Sequence, residues 1–359
     1  MWKQRALLGA IALEFFLSGS PAAVQETFEW PSKRPESSEQ LAKDVDGYLA
    51  SLEVKGFCGV VLLSHQGKVI LHKAYGYADR ESGKRLTTSS GMCIGSIVKP
   101  MTRAALVKLE SAGKLKLGDK LASFFPNAPP DKADITLQQV IDHKAGFTDM
   151  FGDDYEPMGR DEIVAKIMDA KLLFKPGEKS EYSNSGYSLL GVVIEGTSGI
   201  PYERYVYDEI LQPAGVTRIG YKIPGWKPEE LAVGYTNGER WGTPLDHPWM
   251  EDGPSWNLRA NGGMVSTVEE LYKWFDAVLG GRVLSPEATQ KYREMMIRPT
   301  RTGRRAIAVA GGNGVSNSLY VNIVDANLVF IIFTSISEFV GEEAFKAIRP
   351  RVEAFLQPE

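Results

Sequence analysis

The chain has 359 residues and carries 45 acidic against 41 basic side chains, a formal net charge of −4. No long basic run is present, which excludes the clustered Lys and Arg that phosphate-backbone binding requires. With 43% hydrophobic and 24% charged residues, the composition is that of one large globular domain or two of usual size.

The N-terminus reads as a targeting segment over 1–23. Lys3 and Arg5 precede the apolar run "ALLGAIALEFFL", and the small residues of "SGSPAAV" follow. Export to the periplasm or medium is therefore expected, although Glu14 interrupts the apolar run. A Pro/Ser-rich linker over 24–40 leads to an amphipathic helix from Leu41 to Leu52. "CGVVLLS", "HQGK" and "VILHKAYGYA" predict strand, turn and strand.

The middle of the chain is helical. "VKPMTRAALVKLESAG" ends at Gly113, and Thr136 with Gln139 forms a capping box before "LQQVIDH". Further helices are expected over 161–171, 185–198 and 202–211, and 214–262 is largely irregular. Helices over 267–279 and 286–296 follow. Three β-branched strands, "RAIAVAGG", "SNSLYVNIV" and "NLVFIIFTS", precede a last helix over 342–356. Strands at both ends predict one α+β architecture: a sheet domain from 41–95 and 265–359, carrying a mainly helical insertion over 96–264.

The chemistry concentrates in "GSIVKPMT". Ser96 and Lys99 are three residues apart and share a helix face. Pro100 belongs near a helix start, which puts Ser96 where free backbone N–H groups and the helix dipole favour developing negative charge. A serine hydroxyl needs a neighbouring base, and lysine serves only if burial or nearby positive charge lowers its pKa. The spacing alone proves little, because Ser111 and Lys114 repeat it at a helix end, and simple capping would also account for Ser96. "YSN" at 182–184 offers a Tyr182 hydroxyl to relay a proton, the more so if Lys99 next to it lowers its pKa. The same stretch offers an Asn184 amide to hold a substrate carbonyl. In "VAGGNG", Gly311 and Gly312 end a strand and leave the backbone accessible. An oxyanion hole from the N–H groups of Ser96 and Gly312 would contribute a few kcal/mol; a plain hairpin turn would satisfy the same glycines.

Taken together, Ser96-x-x-Lys99, Tyr182-x-Asn184 and the stretches "LVKLESAGKLKLGDKLASFFP", "ITLQQVIDHKAGF", "PGEKSEYSNSGYSLLGVVIEGTSGIPYERYV" and "NGGMVSTVEEL" resemble the serine β-lactamase and penicillin-binding protein superfamily. The likeness is to its class C branch, with its esterases and D-amino-acid peptidases, and covers about residues 40–355. It implies a β-lactamase/transpeptidase-like fold with the site between the sheet domain and the helical domain, an acyl-enzyme on Ser96, and proton handling by Lys99 and Tyr182 in an order left open. It also implies a small ester, amide or peptide substrate and no metal or organic cofactor. One departure stands out. The third motif usually begins with Lys or His, and here it reads Val309-Ala310-Gly311. Val309 cannot attract a substrate carboxylate, so esterase-like hydrolysis is favoured over β-lactamase or D-alanyl-D-alanine carboxypeptidase activity, unless Arg301, Arg304 or Arg305 replaces the cation. A binding or sensing protein that acylates slowly is the non-enzymatic alternative.

Other residues read more plainly. "GMCIG" at 91–95 imitates a nucleophile elbow with Cys93, but it follows a polar turn rather than a hydrophobic strand. Cys58 and Cys93 lack zinc spacing, and two unpaired thiols are the simpler expectation than one disulfide. His65, His72, His143 and His247 have no metal-ligand spacing, and His143 is expected to satisfy local backbone. Trp241, Trp249 and Trp256 are expected to pack the irregular segment rather than line an acyl pocket.

Overall fold

The apolar runs at the two ends of the chain meet in one antiparallel sheet. The computed structural model describes residues 28–247 and 249–357, so the targeting segment expected over 1–23 lies outside the described residues. Strands β1 (Gly59–His65) and β2 (Lys68–Tyr75) form a hairpin. Its turn residues Gln66 and Gly67 both take positive φ, 51° and 78°, as a tight two-residue turn requires. Strands β3 (Arg298–Pro299), β4 (Arg305–Gly312), β5 (Asn317–Ile323) and β6 (Leu328–Thr334) come from the C-terminal part. The sheet order is β3-β4-β5-β6-β1-β2, with β6 against β1 from Gly59 opposite Thr334 to His65 opposite Leu328.

Both faces of the central strands are covered, which is why they read as continuous apolar runs rather than alternating ones. Val60, Leu62, Ile331 and Phe333 enter one apolar core; Val61, Leu63, Phe330 and Ile332 enter the other. The second face is covered by α1 (Ser38–Glu53) and the C-terminal helix Gly341–Phe355, through Leu41, Val45 and Leu49 on one and Ala344, Ile348 and Val352 on the other. These helices are locked by a buried ion pair in which Arg351 Nε donates to Asp44 Oδ2 at 2.6 Å. The stretch expected as a linker is only partly one. Residues 38–40 are the first turn of α1, the Trp30 ring stacks on Tyr48 at 5.2 Å, and the Pro31 carbonyl accepts from Arg351 at 3.0 Å. The aromatic side chains in this segment found an apolar surface that its Pro/Ser content does not advertise.

The first face carries the helical insertion. It contains α2 (Val98–Ser111), α3 (Leu137–Ile141), α4 (Arg160–Asp169) and α5 (Asn184–Ser198). The expected capping box of Thr136 and Gln139 is formed. The helix expected over 202–211 is α-helical for Tyr202–Val206 and π-helical for Tyr207–Leu211. Helices α6 (Val268–Leu279) and α7 (Pro286–Met296) complete the layer. At the base of the insertion, Met92–Cys93 pairs antiparallel with Val265–Ser266, and Ile94 N donates to the Met264 carbonyl at 2.9 Å. This clasp fixes the point where the chain leaves the sheet, two residues before Ser96. Both cysteines are free and buried. Among the described residues, no helix is long and apolar enough to cross a membrane.

Removing one partner of a buried ion pair strands the other charge. Asp44→Ala is expected to lower unfolding stability by about 3 kcal/mol, read from urea denaturation of purified protein; an unchanged midpoint would show that the pair contributes nothing.

Candidate active site

Glycine at two positions lets two backbones touch. Gly95, with φ of 47°, opens the 3-10 turn Gly95–Ile97 that leads into α2. A Cβ on Gly95 would overlap the Gly312 nitrogen. A Cβ on Gly311 would overlap the Ile94 carbonyl oxygen and lie 2.7 Å from the Ser96 nitrogen. The end of β4 is thus laid directly on the Ser96 turn, and the amide nitrogens of Ser96 and Gly312 share one junction. Ser318 on β5 secures it, its hydroxyl donating to the Ile94 carbonyl at 2.9 Å.

Three segments converge on the Ser96 side chain. Its Oγ is 2.6 Å from the Tyr182 hydroxyl and 3.0 Å from Lys99 Nζ. Lys99 also donates to Asn184 Oδ1 and to the Asn261 carbonyl, each at 2.7 Å. The segment supplying that carbonyl is tightly determined. Ala260 adopts φ of 69°, a strained value for a residue with a Cβ. Thr102 donates to its carbonyl at 2.6 Å, and the Tyr221 hydroxyl donates to the Gly262 carbonyl at 2.7 Å. Asn184 is held in turn by Asp149, whose Oδ1 accepts from the Asn184 backbone N–H at 2.9 Å and from Nδ2 at 3.0 Å. The Asn184 amide, expected to hold substrate, therefore first orients Lys99.

Burial sets the electrostatics. Lys99 is 3% exposed, and desolvation pulls its amine down to about 7, with Arg103 adding to the effect and Asp149 and Asp154 opposing it. The Tyr182 phenol moves the other way: burial raises it above the ordinary range, and the Ser96 hydrogen bond offsets only part of that. The condition that would have favoured the relay, a phenol lowered by Lys99, is therefore not met. A lysine whose own charge is suppressed by desolvation cannot outweigh the desolvation of the phenol beside it. Cys93 is buried and its thiol is pushed up to about 12, which removes it as a nucleophile.

His143 acts on both sides of Tyr182. Its carbonyl accepts from the Glu181 N–H at 2.9 Å, its Nδ1 accepts from the Ser183 N–H at 3.2 Å, and its ring lies 4.7 Å from the Tyr182 ring. The backbone role expected for His143 is present, and its consequence is to pin the phenol. The arginines do not supply the missing cation. Arg305 pairs with Asp325 and Arg304 donates to the Leu356 carbonyl at 2.7 Å. Both sit at the start of β4, roughly 23 Å along the strand from Gly312; Arg301 lies farther back in the preceding turn. Trp256 is buried in the core and Trp249 donates to the Pro244 carbonyl at 2.7 Å, whereas Trp241 stacks on His247 at 3.8 Å. Gly95, Asp149 and Asn261 were not singled out by sequence. Only the glycine pair in "NGG" hinted at close approach near 261–263, and nothing local marks a backbone carbonyl as a lysine acceptor.

The Beta-lactamase family profile matches residues 44–349. The chain belongs to the β-lactamase family. Among curated relatives, the putative penicillin-binding protein PbpX of Bacillus subtilis is 28% identical over 283 residues, covering 76% of this chain and 70% of that protein. Protein flp of Staphylococcus aureus is 26% identical over 305 residues, 82% of this chain but 58% of its own length, so the chain spans little more than half of that relative. Two solved structures share the fold: a class C β-lactamase from Rhodobacter sphaeroides (TM-score 0.73, 17% identity, 87% of this chain and 99% of that one) and a D-amino acid amidase from Ochrobactrum anthropi SV3 (TM-score 0.71, 22% identity, 87% and 98%). The antiparallel sheet with its helical insertion is therefore the β-lactamase fold.

If His143 positions Tyr182, His143→Ala should slow labelling of Ser96 by a fluorophosphonate about tenfold or more. His143→Asn, which tolerates the 57° φ found there and keeps an acceptor, should lose less. Equal rates in all three proteins would remove the role.

Proposed function

We propose that this β-lactamase-family protein is a serine acyl hydrolase that works through an acyl-enzyme on Ser96. The observation that carries this reading is the environment of Lys99. Two of its three hydrogen-bonding directions end on acceptors, Asn184 Oδ1 and the Asn261 carbonyl. A neutral amine has two hydrogens for those acceptors, which leaves its lone pair on the third direction, toward Ser96 Oγ. With the amine near 7 and the phenol raised, Lys99 is the resting base and Tyr182 enters as a neutral phenol.

In acylation, Ser96 Oγ bonds to the substrate carbonyl carbon as its proton passes to Lys99. The oxyanion that develops is received by the N–H groups of Ser96 and Gly312. Collapse breaks the bond to the leaving group, which takes a proton from the Tyr182 hydroxyl beside Ser96; the proton held on Lys99 restores the phenol. Water then adds to the acyl carbon, gives its proton to the same pair, and releases the acid while Ser96 regains its hydrogen. No other reactant is needed.

Esters and amides without a carboxylate beside the scissile bond suit the site best. Val309, in β4, lies on the sheet face that packs on the first core, and Arg304 and Arg305, two of the substitutes left open by the sequence, are engaged elsewhere. Export, which the N-terminal sequence suggests, would place this activity outside the cytoplasm.

Two outcomes test the reading. Wild-type protein should gain one fluorophosphonate adduct by intact mass and hydrolyse p-nitrophenyl acetate, and Ser96→Ala should lose the adduct and at least ~10³-fold of the rate. An adduct on the variant would refute Ser96 as nucleophile, and no adduct on either protein would favour a binding module. Because the neutral amine is the active form, kcat/KM should be low when Lys99 is protonated and climb as pH rises through about 7. A flat profile from pH 5 to 9 would exclude Lys99 as the base. Faster turnover of a chromogenic cephalosporin than of simple esters would overturn the substrate preference.

A further inference from the structure

The carbonyl that accepts from Lys99 belongs to a segment clamped from outside the site. Asn261 Nδ2 donates to the Ser188 hydroxyl at 2.9 Å and to the Asn257 carbonyl at 2.7 Å, which ties the side chain but not the backbone. The residues on either side are held by one phenol. The Tyr221 hydroxyl accepts from the Ala260 N–H at 3.2 Å and donates to the Gly262 carbonyl at 2.7 Å. A single oxygen thus bridges Ala260, at its φ of 69°, to Gly262, and so sets the direction of the Asn261 carbonyl between them.

Tyr221 is itself placed by a carboxylate. Glu203 Oε1 accepts from three successive backbone N–H groups, Tyr221 at 2.6 Å, Lys222 at 2.8 Å and Ile223 at 2.9 Å. A Cβ at Gly220 would lie 2.9 Å from the same oxygen, so a glycine lets the chain wrap this closely around it. Packing does not fix the turn on its other side. There Tyr221, Lys222 and Ile223 border a cavity of about 170 Å³, together with Glu203, Pro254 and Arg259. The neighbouring Tyr202 acts on the same segment: its hydroxyl donates to Thr102 at 2.7 Å, and Thr102 donates to the Ala260 carbonyl. Two consecutive side chains of the helix Tyr202–Val206 therefore converge on residues 260–262.

We propose that Glu203 is a positioning residue for the reaction: through Tyr221 it fixes the Asn261 carbonyl that orients Lys99 toward Ser96. The carboxylate acts through the phenol and not on the reacting atoms. Its three charge-assisted hydrogen bonds hold the 221–223 turn more firmly than a neutral acceptor would, and the phenol passes that restraint to residues 260 and 262. With the carbonyl in place, one amine hydrogen is committed to it and the lone pair stays on Ser96. If the carbonyl turns away, that hydrogen is free to point at Ser96 Oγ, and the amine meets the serine as a donor instead of a base. This role rests on Lys99 being the base, as read above.

The test compares wild-type protein with Glu203→Gln, which keeps the size of the side chain and removes its charge, and Tyr221→Phe, which removes only the hydroxyl. In each variant the maximal rate of fluorophosphonate labelling should fall about 10- to 100-fold. The half-saturating probe concentration should stay within about twofold of wild type, and labelling should still reach one adduct per chain. The inflection of the labelling rate near pH 7 should move down by about half a unit or more, because a carbonyl acceptor favours the ammonium over the amine. The titratable and charged groups facing Lys99 are untouched by either substitution: Tyr182 and Tyr187, whose rings lie 4.7 and 5.5 Å from Nζ, and Arg103, Asp149 and Asp154. Because both variants break one chain of contacts, the double variant should lose no more than the larger single loss. If Tyr221→Phe does not fold, Glu203→Gln decides by its rate and inflection alone. An inflection that stays or rises, a loss confined to the half-saturating concentration, or additive losses would overturn the proposal. A flat pH profile or the absence of an adduct in the wild type would instead overturn the reading of Lys99 and Ser96 and this role with it, which separates the two failures.

Discussion

The arrangement depends on keeping one amine out of water. Lys99 emerges from the first turn of α2 and is enclosed by α5 and the 257–263 segment, where solvent cannot stabilise its charge. Everything nearby compensates for that burial with geometry: an amide oxygen from Asn184, a carbonyl from Asn261, and the hydroxyl of Ser96. Asp149 steadies the amide, and Thr102 and Tyr221 steady the carbonyl segment. An exposed lysine at the same spacing, such as Lys114 after Ser111, has none of this enclosure and remains an ordinary surface cation.

The second constraint is steric. The Ser96 turn and the end of β4 approach so closely that neither Gly95 nor Gly311 has room for a side chain. The β-sheet is rigid because its centre pairs the two ends of the chain and buries both faces. It therefore delivers the Gly312 nitrogen to the helix start with little freedom. The clasp between Met92–Cys93 and Val265–Ser266 closes the base of the helical insertion, so sheet and insertion share one continuous apolar core rather than meeting across a hinge.

Within that frame, the polarity of the site departs from what the family resemblance implies. A cation is missing from the third motif, where Val309 packs on the first core instead. Trp241, His247 and Tyr155 stack on one another, and Asn313, one residue beyond Gly312, donates to the Tyr155 hydroxyl at 3.2 Å, so an aromatic group flanks the end of β4.

Much of this was legible beforehand where the signal is local. Periodicity marked α1, α2 and α5, β-branched runs marked the sheet, and Thr136 with Gln139 marked a helix start. Ser96, Lys99 and Tyr182 stood out because a reactive serine needs a base and a relay, and family-like stretches surrounded them. The misreadings concern environment. The stretch around Trp30 reads as a linker because its composition is that of a loop, and a lysine expected beside Tyr182 says nothing of the burial that raises the phenol. By itself, the amino-acid order determined which elements form and which side chains carry reactive atoms, since backbone preference and chemical identity are properties of neighbouring residues. Only the tertiary structure decided which of those atoms are dry and which lysine is desolvated, because desolvation and pairing are set by segments far apart in the chain.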